Sequence, residues 1–139
     1  MALPTHLRLA FVTPEREIVR VQADEVELPG TEGYFGVLPG HTPMLATLTV
    51  GRLTYRTGQE SHLLAIAFGF AEVLPDAVTV LAEIAERAED IDLGRAESAR
   101  TRAAERLTRA EADLDYARAR TALDKASLRV QVASRARAR

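Results

Sequence analysis

Glycine and proline are confined almost entirely to the first part of this 139-residue chain. All six prolines and seven of the eight glycines precede residue 77, and neither residue type occurs from Arg95 to Arg139. Because glycine and proline mark turns and interrupt helices, this distribution divides the chain into a turn-rich part and a helical part. We place the boundary within residues 84–92, and we assign residues 1–86 to a first domain and residues 87–139 to a second.

Short strands are predicted throughout residues 1–86. Apolar residues alternate with polar ones in five segments, as in strands with one buried face. These segments are Leu7–Phe11, Ile18–Val21, Val26–Leu28, Leu53–Tyr55 and Val78–Val80. Turn signals such as Pro29-Gly30 separate them, and short strands at this spacing predict a β-sandwich or flattened barrel. The segment Leu63–Phe70 is richer in apolar residues, so we expect a central strand covered on both faces.

Alanine-rich helical stripes follow in residues 87–139. Asp92 is placed to cap the first helix. Apolar residues then recur at steps of three and four in two series, which are Ala96, Ala99, Ala103, Leu107 and Ala110, then Ala112, Tyr116, Ala119, Leu123, Ala126 and Val130. Small side chains let two helices approach closely, which predicts an antiparallel pair, weakly docked and mobile, with Asp113 or Asp115 as the second cap. One long helix is the alternative, since no Gly or Pro separates the two series.

The charge of the chain changes sign between the two parts. The formal net charge is −2, but residues 1–86 hold 5 basic and 11 acidic residues, whereas residues 87–139 hold 13 basic and 9 acidic ones. From residue 129 onward there are four arginines and no acid. Such a basic tail is attracted to acidic protein surfaces, nucleic acid or anionic lipid, and charge alone does not choose among them.

Several functional classes are disfavoured by what the sequence lacks. The chain has no cysteine, which excludes disulfides and thiolate chemistry. The longest apolar run is nine residues, too short for a bilayer span, and the N-terminus lacks the pattern of a secretory signal. The three histidines lack metal-ligand spacing, and neither a nucleophile elbow nor a Walker-type loop is present, so neither an enzyme nor a metal site is expected. Nucleic-acid binding is not expected either, because acids interleave with the basic residues.

Two segments are candidates for partner or ligand binding. Pro29–Met44 holds four glycines and three prolines, which indicates either a structural double turn or a rigid loop that meets a partner through Glu32 and His41. Glu89–Ala96 opens the first helix, where Asp92 and Arg95 are three residues apart and so share one helix face. That spacing fits either a capping box with a local ion pair or an anion site at the helix N-terminus.

Three motifs in the chain resemble those of the epsilon subunit of the F-type ATP synthase. The first, Gly-x-Glu-Gly-x-x-Gly-x-x-Pro-Gly-His-x-Pro-x-Leu, runs from Gly30 to Leu45. The second is Gly69-Phe-x-Glu-Val73 with Val78-Thr-Val-Leu-Ala82, and the third is Ile91-Asp-x-x-Arg-Ala96. The resemblance covers essentially the whole chain. The fold it implies is an N-terminal β-sandwich of about ten short strands followed by a C-terminal two-helix antiparallel hairpin.

This resemblance implies a non-catalytic rotor subunit in the central stalk of a proton-translocating ATP synthase. The sandwich is expected to bind the gamma subunit and the c-subunit ring, with Glu32 and His41 near those contacts. In this family the helical tail can leave the sandwich, extend along gamma and inhibit ATP hydrolysis, with basic residues meeting the alpha and beta subunits. The residues expected in that role are Arg118 and Arg120, together with Arg129, Arg135 and Arg137.

A regulatory ATP site on the folded hairpin is implied by the same resemblance, although no cofactor is required for coupling. Some bacterial members bind ATP through residues that match Ile91, Asp92, Arg95, Ala96, Arg102 and Arg129. The chain departs from those members at Lys125, where they carry arginine. Lysine retains the charge but loses the planar fork of a guanidinium. Gly94 also weakens the first helical turn, by roughly 0.5–1 kcal/mol relative to alanine.

Two other interpretations remain open on the sequence alone. A free-standing adaptor has the same fold and docks onto a different partner, whereas an ATP-sensing module has nucleotide binding at the hairpin as its main task. The resemblance also implies a location at the cytoplasmic face of a bacterial inner membrane, held there through partner subunits.

Overall fold

A computed structural model describes residues 2–109 and 115–137 of the chain. Within these residues the strands are β1 Leu7–Val12, β2 Glu17–Ala23, β3 Glu25–Gly30, β4 Gly33–Val37, β5 Met44–Leu48, β6 Gly51–Thr57, β7 Glu60–Leu74 and β8 Ala77–Arg87. A single 3-10 turn, Ala88–Asp90, leads from β8 into the helices. The helices are α1 Leu93–Thr108 and α2 Tyr116–Arg137.

Strands β7 and β8 run through both layers of a sandwich. The first half of β7 pairs with β6 and the second half with β5, while the first half of β8 pairs in parallel with β1. One layer therefore has the order β2-β1-β8-β7-β5, and the other has the order β4-β3-β6-β7-β8. With β7 and β8 counted once in each layer, the eight described strands supply ten segments, as the family fold implies. A β3–β5 contact at Gly30 and Leu48 closes one side of this flattened barrel.

Alternate residues of the strands fill the space between the two layers. The largest fully buried side chains include Phe11, Leu9, Leu28, Leu53 and Ile66, each at most 1% exposed. They belong to one hydrophobic cluster formed by the strands alone. The period-two alternation in the sequence therefore predicted β1, β3, β6 and the start of β8 with their buried faces correctly, but it did not predict β5.

The passage of β7 from one layer to the other depends on Phe68 and Gly69. Both have positive φ, 58° at Phe68 and 140° at Gly69. A Cβ atom at Gly69 would lie 1.9 Å from the carbonyl oxygen of Leu81, because β8 passes directly against the backbone there. Glycine is therefore required at position 69 by space as well as by conformation.

The first half of β7 is buried on both faces, as the sequence predicted. Leu64 and Ile66 point into the sandwich interior, whereas Leu63 and Ala65 belong to a second cluster outside it. The second cluster is completed mainly by residues from α2 and from the start of α1, which are Ile91, Ala96, Leu128, Val130, Val132 and Ala133. The helices therefore dock on the outer face of one layer.

Capping residues begin both helices, so the alternative of one long helix is wrong. Asp92 Oδ1 accepts a hydrogen bond from the backbone N–H of Arg95 at 3.0 Å, and Asp115 Oδ1 accepts one from that of Arg118 at 3.1 Å. Asp113, the other candidate cap, lies outside the described residues together with Ala110 and Ala112. No helix among residues 2–109 and 115–137 is long and apolar enough to cross a membrane.

The predicted stripes are only partly correct for the second helix. Ala103, Ala119 and Ala126 are buried, consistent with close packing of α1 on α2. Tyr116, however, is 56% exposed, because it lies in the first turn of α2, away from the sandwich. The cluster against the sandwich contains Val130 of the predicted stripe, but it also contains Leu128 and Val132, which lie on a second apolar face of α2 that the single stripe did not include.

Asp24, between β2 and β3, connects three parts of the sandwich. Its carboxylate accepts a hydrogen bond from the backbone N–H of Gly58 at 2.7 Å and lies 2.9 Å from Nδ1 of His6. The Gly58 N–H, and after it His6, favour the ionised carboxylate and hold the pKa of Asp24 below its usual value of 3.8. The guanidinium of Arg56, 3.6 Å from the carboxylate, acts in the same direction.

Replacing Asp24 with asparagine is expected to destabilise the protein near neutral pH and to have little effect in strong acid. Folding lowers the pKa of Asp24, so its stabilising contribution is complete above the unfolded-state pKa of about 3.9 and is lost as the pH falls through the folded-state pKa. Thermal unfolding midpoints of the unchanged chain and of Asp24→Asn, measured from pH 7 to pH 2, should therefore converge in acid. A difference that stays constant over this range would contradict the assignment.

Candidate functional site

An open groove of about 630 Å³ lies between the two helices, over the point where β7 changes layer. Its walls are made of small side chains from α1 and α2, which are Ala99, Ala103, Ala117, Ala119, Ala122 and Ala126. Five cations also line it, namely Arg102, Arg106, Arg118, Lys125 and Arg129. The alanine stripes thus leave a channel between the helices, because small side chains do not fill the space between the longer basic ones.

The groove is strongly electropositive. Its described lining contains five basic residues and no carboxylate. Cations supplied by two facing helices attract a ligand with several negative charges, and guanidinium groups bind phosphate oxygens through paired N–H donors. A polyphosphate fits this chemistry better than a single carboxylate does.

Arg129 joins the groove to the sandwich. Its Nε atom lies 2.5 Å from Oε1 of Glu86 on β8, and both side chains are about one-third exposed. This ion pair bridges α2 and the edge of β8, so it holds the helix in register on the sheet. It also fixes one of the five cations at the mouth of the groove.

Phe68 and Lys125 meet at the floor of the groove. The ammonium of Lys125 lies 5.4 Å from the centroid of the Phe68 ring, within the range of a cation–π contact. Phe68 is half-buried, and it is the one residue of the described lining that belongs to the sandwich. The sequence did not single it out, and its only signal was an aromatic residue immediately before Gly69.

The structure brings together some of the residues expected to hold ATP and separates others from them. Arg102, Lys125 and Arg129 line the groove. Arg106, four residues after Arg102 on the same helix face, joins them and was missed. Ile91, Asp92, Arg95 and Ala96 lie instead at the start of α1, outside the described lining.

Those four residues have identifiable local contacts. Asp92 caps α1, while Ile91 and Ala96 are buried in the cluster between helices and sheet. The backbone oxygen of Ile91 accepts a hydrogen bond from Nη2 of Arg137 at 3.4 Å, which ties the end of α2 to the start of α1. Arg95 is exposed. The motif therefore positions the hairpin whether or not it also contacts a ligand.

The residues expected to meet partner subunits lie on exposed turns and helix surfaces. Glu32 is exposed in the β3–β4 turn, next to Thr31, whose N–H donates to Thr47 at 3.0 Å. His41 is half-buried, with Nδ1 2.7 Å from the backbone oxygen of Thr42. The Thr31–Thr47 hydrogen bond places Glu32 near the end of β5, whereas the His41 contact is local to its own turn.

Two arginines expected to meet partner subunits lie on α2. Arg118 lines the groove, so it serves the electropositive channel as well as the helix surface. Arg120 is exposed, with Nε 3.4 Å from Oδ1 of Asp124. Such an exposed pair stabilises a helix by only a few tenths of a kcal/mol, about 0.3–0.5. Both side chains therefore remain available to an acidic partner.

An apolar face lies on the layer that the helices leave uncovered. Phe70 on β7 is directly paired with Leu81 on β8, and Leu45 on β5 lies one row away, opposite Glu72. Their exposures are 47% for Phe70, 39% for Leu81 and 72% for Leu45. Adjacent exposed apolar side chains of this size mark a surface that contacts another molecule. Sequence alternation alone did not reveal this face, because both faces of these strands carry apolar residues.

The histidines and acids do not gather into a metal site in the described part of the chain. Within residues 2–109 and 115–137, no group of three or more His, Asp and Glu side chains is arranged to hold a metal ion. His6 is paired with Asp24, and His62 stacks on Tyr55 with ring centroids 4.7 Å apart. Burial raises the pKa of the Tyr55 hydroxyl. These contacts join strands and turns of the sandwich.

Family models match both parts of the chain. The β-sandwich domain of the ATP synthase delta/epsilon chain matches residues 6–88, and the long α-helix domain of the same chain matches residues 89–134. The chain leaves the sheet at Arg87, within this boundary region.

Curated relatives and a solved structure are also similar to the chain. The chain is 48% identical over 129 residues to the ATP synthase epsilon chain of Syntrophobacter fumaroxidans, covering 93% of this chain and 96% of the relative. It is 57% identical over 103 residues to that of Desulfosudis oleivorans, covering 73% and 77%. A chain of the Euglena gracilis mitochondrial ATP synthase (OSCP, F1 and c ring) is similar in fold, with a TM-score of 0.79 at 20% identity and coverage of 100% and 85%.

The fold, the matched domains and the relatives all indicate the same family. The two family models together span nearly the whole chain, and the relatives match it over most of their own length. The chain therefore belongs to the ATP synthase delta/epsilon chain family and is, like these relatives, a non-catalytic subunit.

Proposed function

We propose that the chain works as a rotor subunit of the central stalk, coupling c-ring rotation to ATP synthesis, and that its hairpin leaves the sandwich to inhibit ATP hydrolysis. The observation that carries this proposal is the separation of the two hydrophobic clusters. The cluster inside the sandwich contains strand residues alone, and the helices contribute only to the cluster on its outer face. Release of the helices therefore leaves the interior of the sandwich intact.

The docked hairpin is held by few large side chains. The buried residues larger than alanine that the hairpin and its leading turn contribute to the outer cluster are Ile91, Leu128, Val130 and Val132. Burial of one such side chain contributes roughly 1.5–3 kcal/mol, and these gains are offset by the entropy of holding the helices in place. A compact and an extended form that differ by a few kcal/mol are what a two-state regulatory element requires.

The partner surfaces follow from the same architecture. The apolar face of Leu45, Phe70 and Leu81 is uncovered and suits a large protein partner, for which we propose the gamma subunit. The turns that carry Glu32 and His41 suit contact with the c ring. In the extended form, Arg118 and Arg120 face the acidic segments of the alpha and beta subunits. The Euglena relative named above was solved in an assembly with F1 and the c ring, which supports such contacts.

Regulatory ATP is the ligand we propose for the electropositive groove. Arg102, Lys125 and Arg129 hold the phosphates there. The motif of Ile91, Asp92, Arg95 and Ala96 lies outside the described lining and supports the site by positioning the start of α1. ATP bound between the helices stabilises the compact form, because it binds only while α1 and α2 lie side by side. Through gamma and the c ring, the subunit is held at the cytoplasmic face of a bacterial inner membrane.

The full chain is expected to inhibit ATP hydrolysis by the cognate catalytic core lacking this subunit, whereas a chain that ends at Ala88 is expected to bind without inhibiting. The truncated chain retains every strand and the whole interior cluster. ATPase rates are measured with each added in excess, and binding is checked by co-purification. Equal inhibition by both chains would contradict the role of the hairpin. Failure of both to bind would contradict the rotor assignment and favour a free-standing adaptor.

A further inference from the structure

We propose that Phe68 stacks against the base of the nucleotide held in the groove and thereby couples nucleotide binding to docking of the hairpin; this rests on the ATP site proposed above. The first observation is position. All other described residues of the basic groove's lining lie on α1 or α2, so within that groove Phe68 is the residue through which a ligand touches the sandwich. A ligand held only by the five cations makes no direct contact with the sandwich, because all five lie on the helices.

The second observation is the conformation of Phe68. Its φ of 58° lies in the left-handed region, which costs free energy for any residue with a Cβ. Strain of this kind persists where the surroundings hold it, and it points to a role for the side chain. Gly69 fixes the path of the strand beside it, so the ring projects from the sandwich toward α2. The sequence therefore places an aromatic ring where the backbone itself favours glycine.

The third observation is the surroundings of the ring. Phe68 and Thr121 line both the basic groove and an adjoining groove of about 420 Å³. The adjoining groove carries hydrogen-bonding side chains suited to the polar edge of a base, which are Thr49, Asp124, Ser127 and Gln131. Cations for phosphates on one side and polar groups on the other, with an aromatic ring between them, match the chemistry of a nucleotide.

Lys125 links the proposed phosphate contacts to the proposed base contact. Its ammonium now lies over the Phe68 ring, 5.4 Å from the centroid. Phosphates in the groove attract this ammonium away from the ring, and the uncovered ring face accepts the base. The exchange replaces a cation–π contact with base stacking and adds a charge-assisted contact to phosphate. Bare polyphosphate gains only the second of these contacts.

The test compares ATP with inorganic tripolyphosphate by isothermal titration of the full chain. Phe68→Leu is expected to weaken ATP binding about tenfold, the usual size of a base–aromatic stacking contribution, and to leave tripolyphosphate affinity within twofold. Tyr116→Leu, which removes an exposed aromatic outside the described lining, is the matched control and should change neither. Hydrogen exchange of α2 should slow on ATP addition in the unchanged chain and much less in Phe68→Leu.

A second variant reports on the ring directly. The chain contains no tryptophan, so Phe68→Trp introduces a single fluorophore that retains an aromatic face. ATP is expected to change its emission, and tripolyphosphate is not. Equal affinity for the two ligands, unaffected by Phe68→Leu but weakened by Arg102→Ala, would overturn stacking and leave the phosphate site standing. No binding of either ligand at millimolar concentration would overturn both proposals.

Discussion

Replacing Gly69 with alanine is expected to destabilise the sandwich severely. The new Cβ would lie 1.9 Å from the carbonyl oxygen of Leu81 and 2.8 Å from Cα of Ala82, and both are backbone atoms that cannot rotate away. The residue also has φ of 140°, which alanine adopts only at a cost of about 1–3 kcal/mol. Together with backbone overpacking, the loss reaches roughly 3–6 kcal/mol, comparable to the whole stability of a small domain.

Two other glycines provide matched controls for this prediction. Gly36 has neither a positive φ nor an atom within 4 Å of a built Cβ, so Gly36→Ala should change stability by less than about 0.5 kcal/mol. Gly33 has the same open space but a φ of 127°, so Gly33→Ala isolates the conformational cost. Chemical unfolding should show the smallest loss of stability for Gly36→Ala, a larger loss for Gly33→Ala and the largest for Gly69→Ala. If Gly69→Ala unfolded like Gly33→Ala, the close approach of β8 would be wrong.

Replacing Val132 with aspartate is expected to release the hairpin without unfolding the sandwich. Val132 is 0% exposed and belongs to the cluster between α2 and the outer face of the sheet. A carboxylate at this position loses its hydration among apolar side chains, which costs at least about 3 kcal/mol. That free energy corresponds to about a hundredfold shift of the docking equilibrium.

Hydrogen exchange separates the two effects of Val132→Asp. Amides of α2 should exchange about a hundredfold faster, whereas those of β1 and β8, inside the sandwich, should keep their protection. Ser134→Asp introduces the same charge at an exposed position two residues later and should leave α2 docked. Cooperative loss of protection in the strands as well would show that sandwich and hairpin form one folding unit. If release produces inhibition, Val132→Asp should also inhibit the catalytic core at lower concentration.

The sequence was sufficient to predict most of the strands and the cap of the first helix, and it favoured the helical pair without excluding one long helix. Alternation at Leu7, Leu9 and Phe11 has one physical cause, which is burial of every second side chain in a sheet. Asp92 was identified as a helix cap for a local reason, since a carboxylate at that position satisfies free backbone N–H groups. Features that depend on residues close together in the sequence can therefore be predicted from a single sequence.

Features that depend on residues far apart in the sequence could not be predicted in the same way. Leu128 and Val132 lie on a second face of α2. A search for a single apolar stripe does not reveal that α2 packs against both α1 and the sheet. The role of Phe68 depends on β8 passing against Gly69 and on α2 lying above it, which no local pattern encodes. The basic residues of the groove were individually visible, but Arg106 was separable from other exposed arginines only after α1 and α2 were placed side by side.

The position of β8 has a consequence for how the chain is made. β8 is the last strand to be synthesised, yet it lies between β1 and β7, and Leu9 pairs with Val78 across most of the sandwich sequence. Contacts between such distant residues form slowly, because a long loop must close before they stabilise anything. During synthesis β1 therefore remains without β8, its parallel partner, until residue 81 has left the ribosome. The surface on which the hairpin docks is completed later still, so the hairpin docks only after the sandwich has formed.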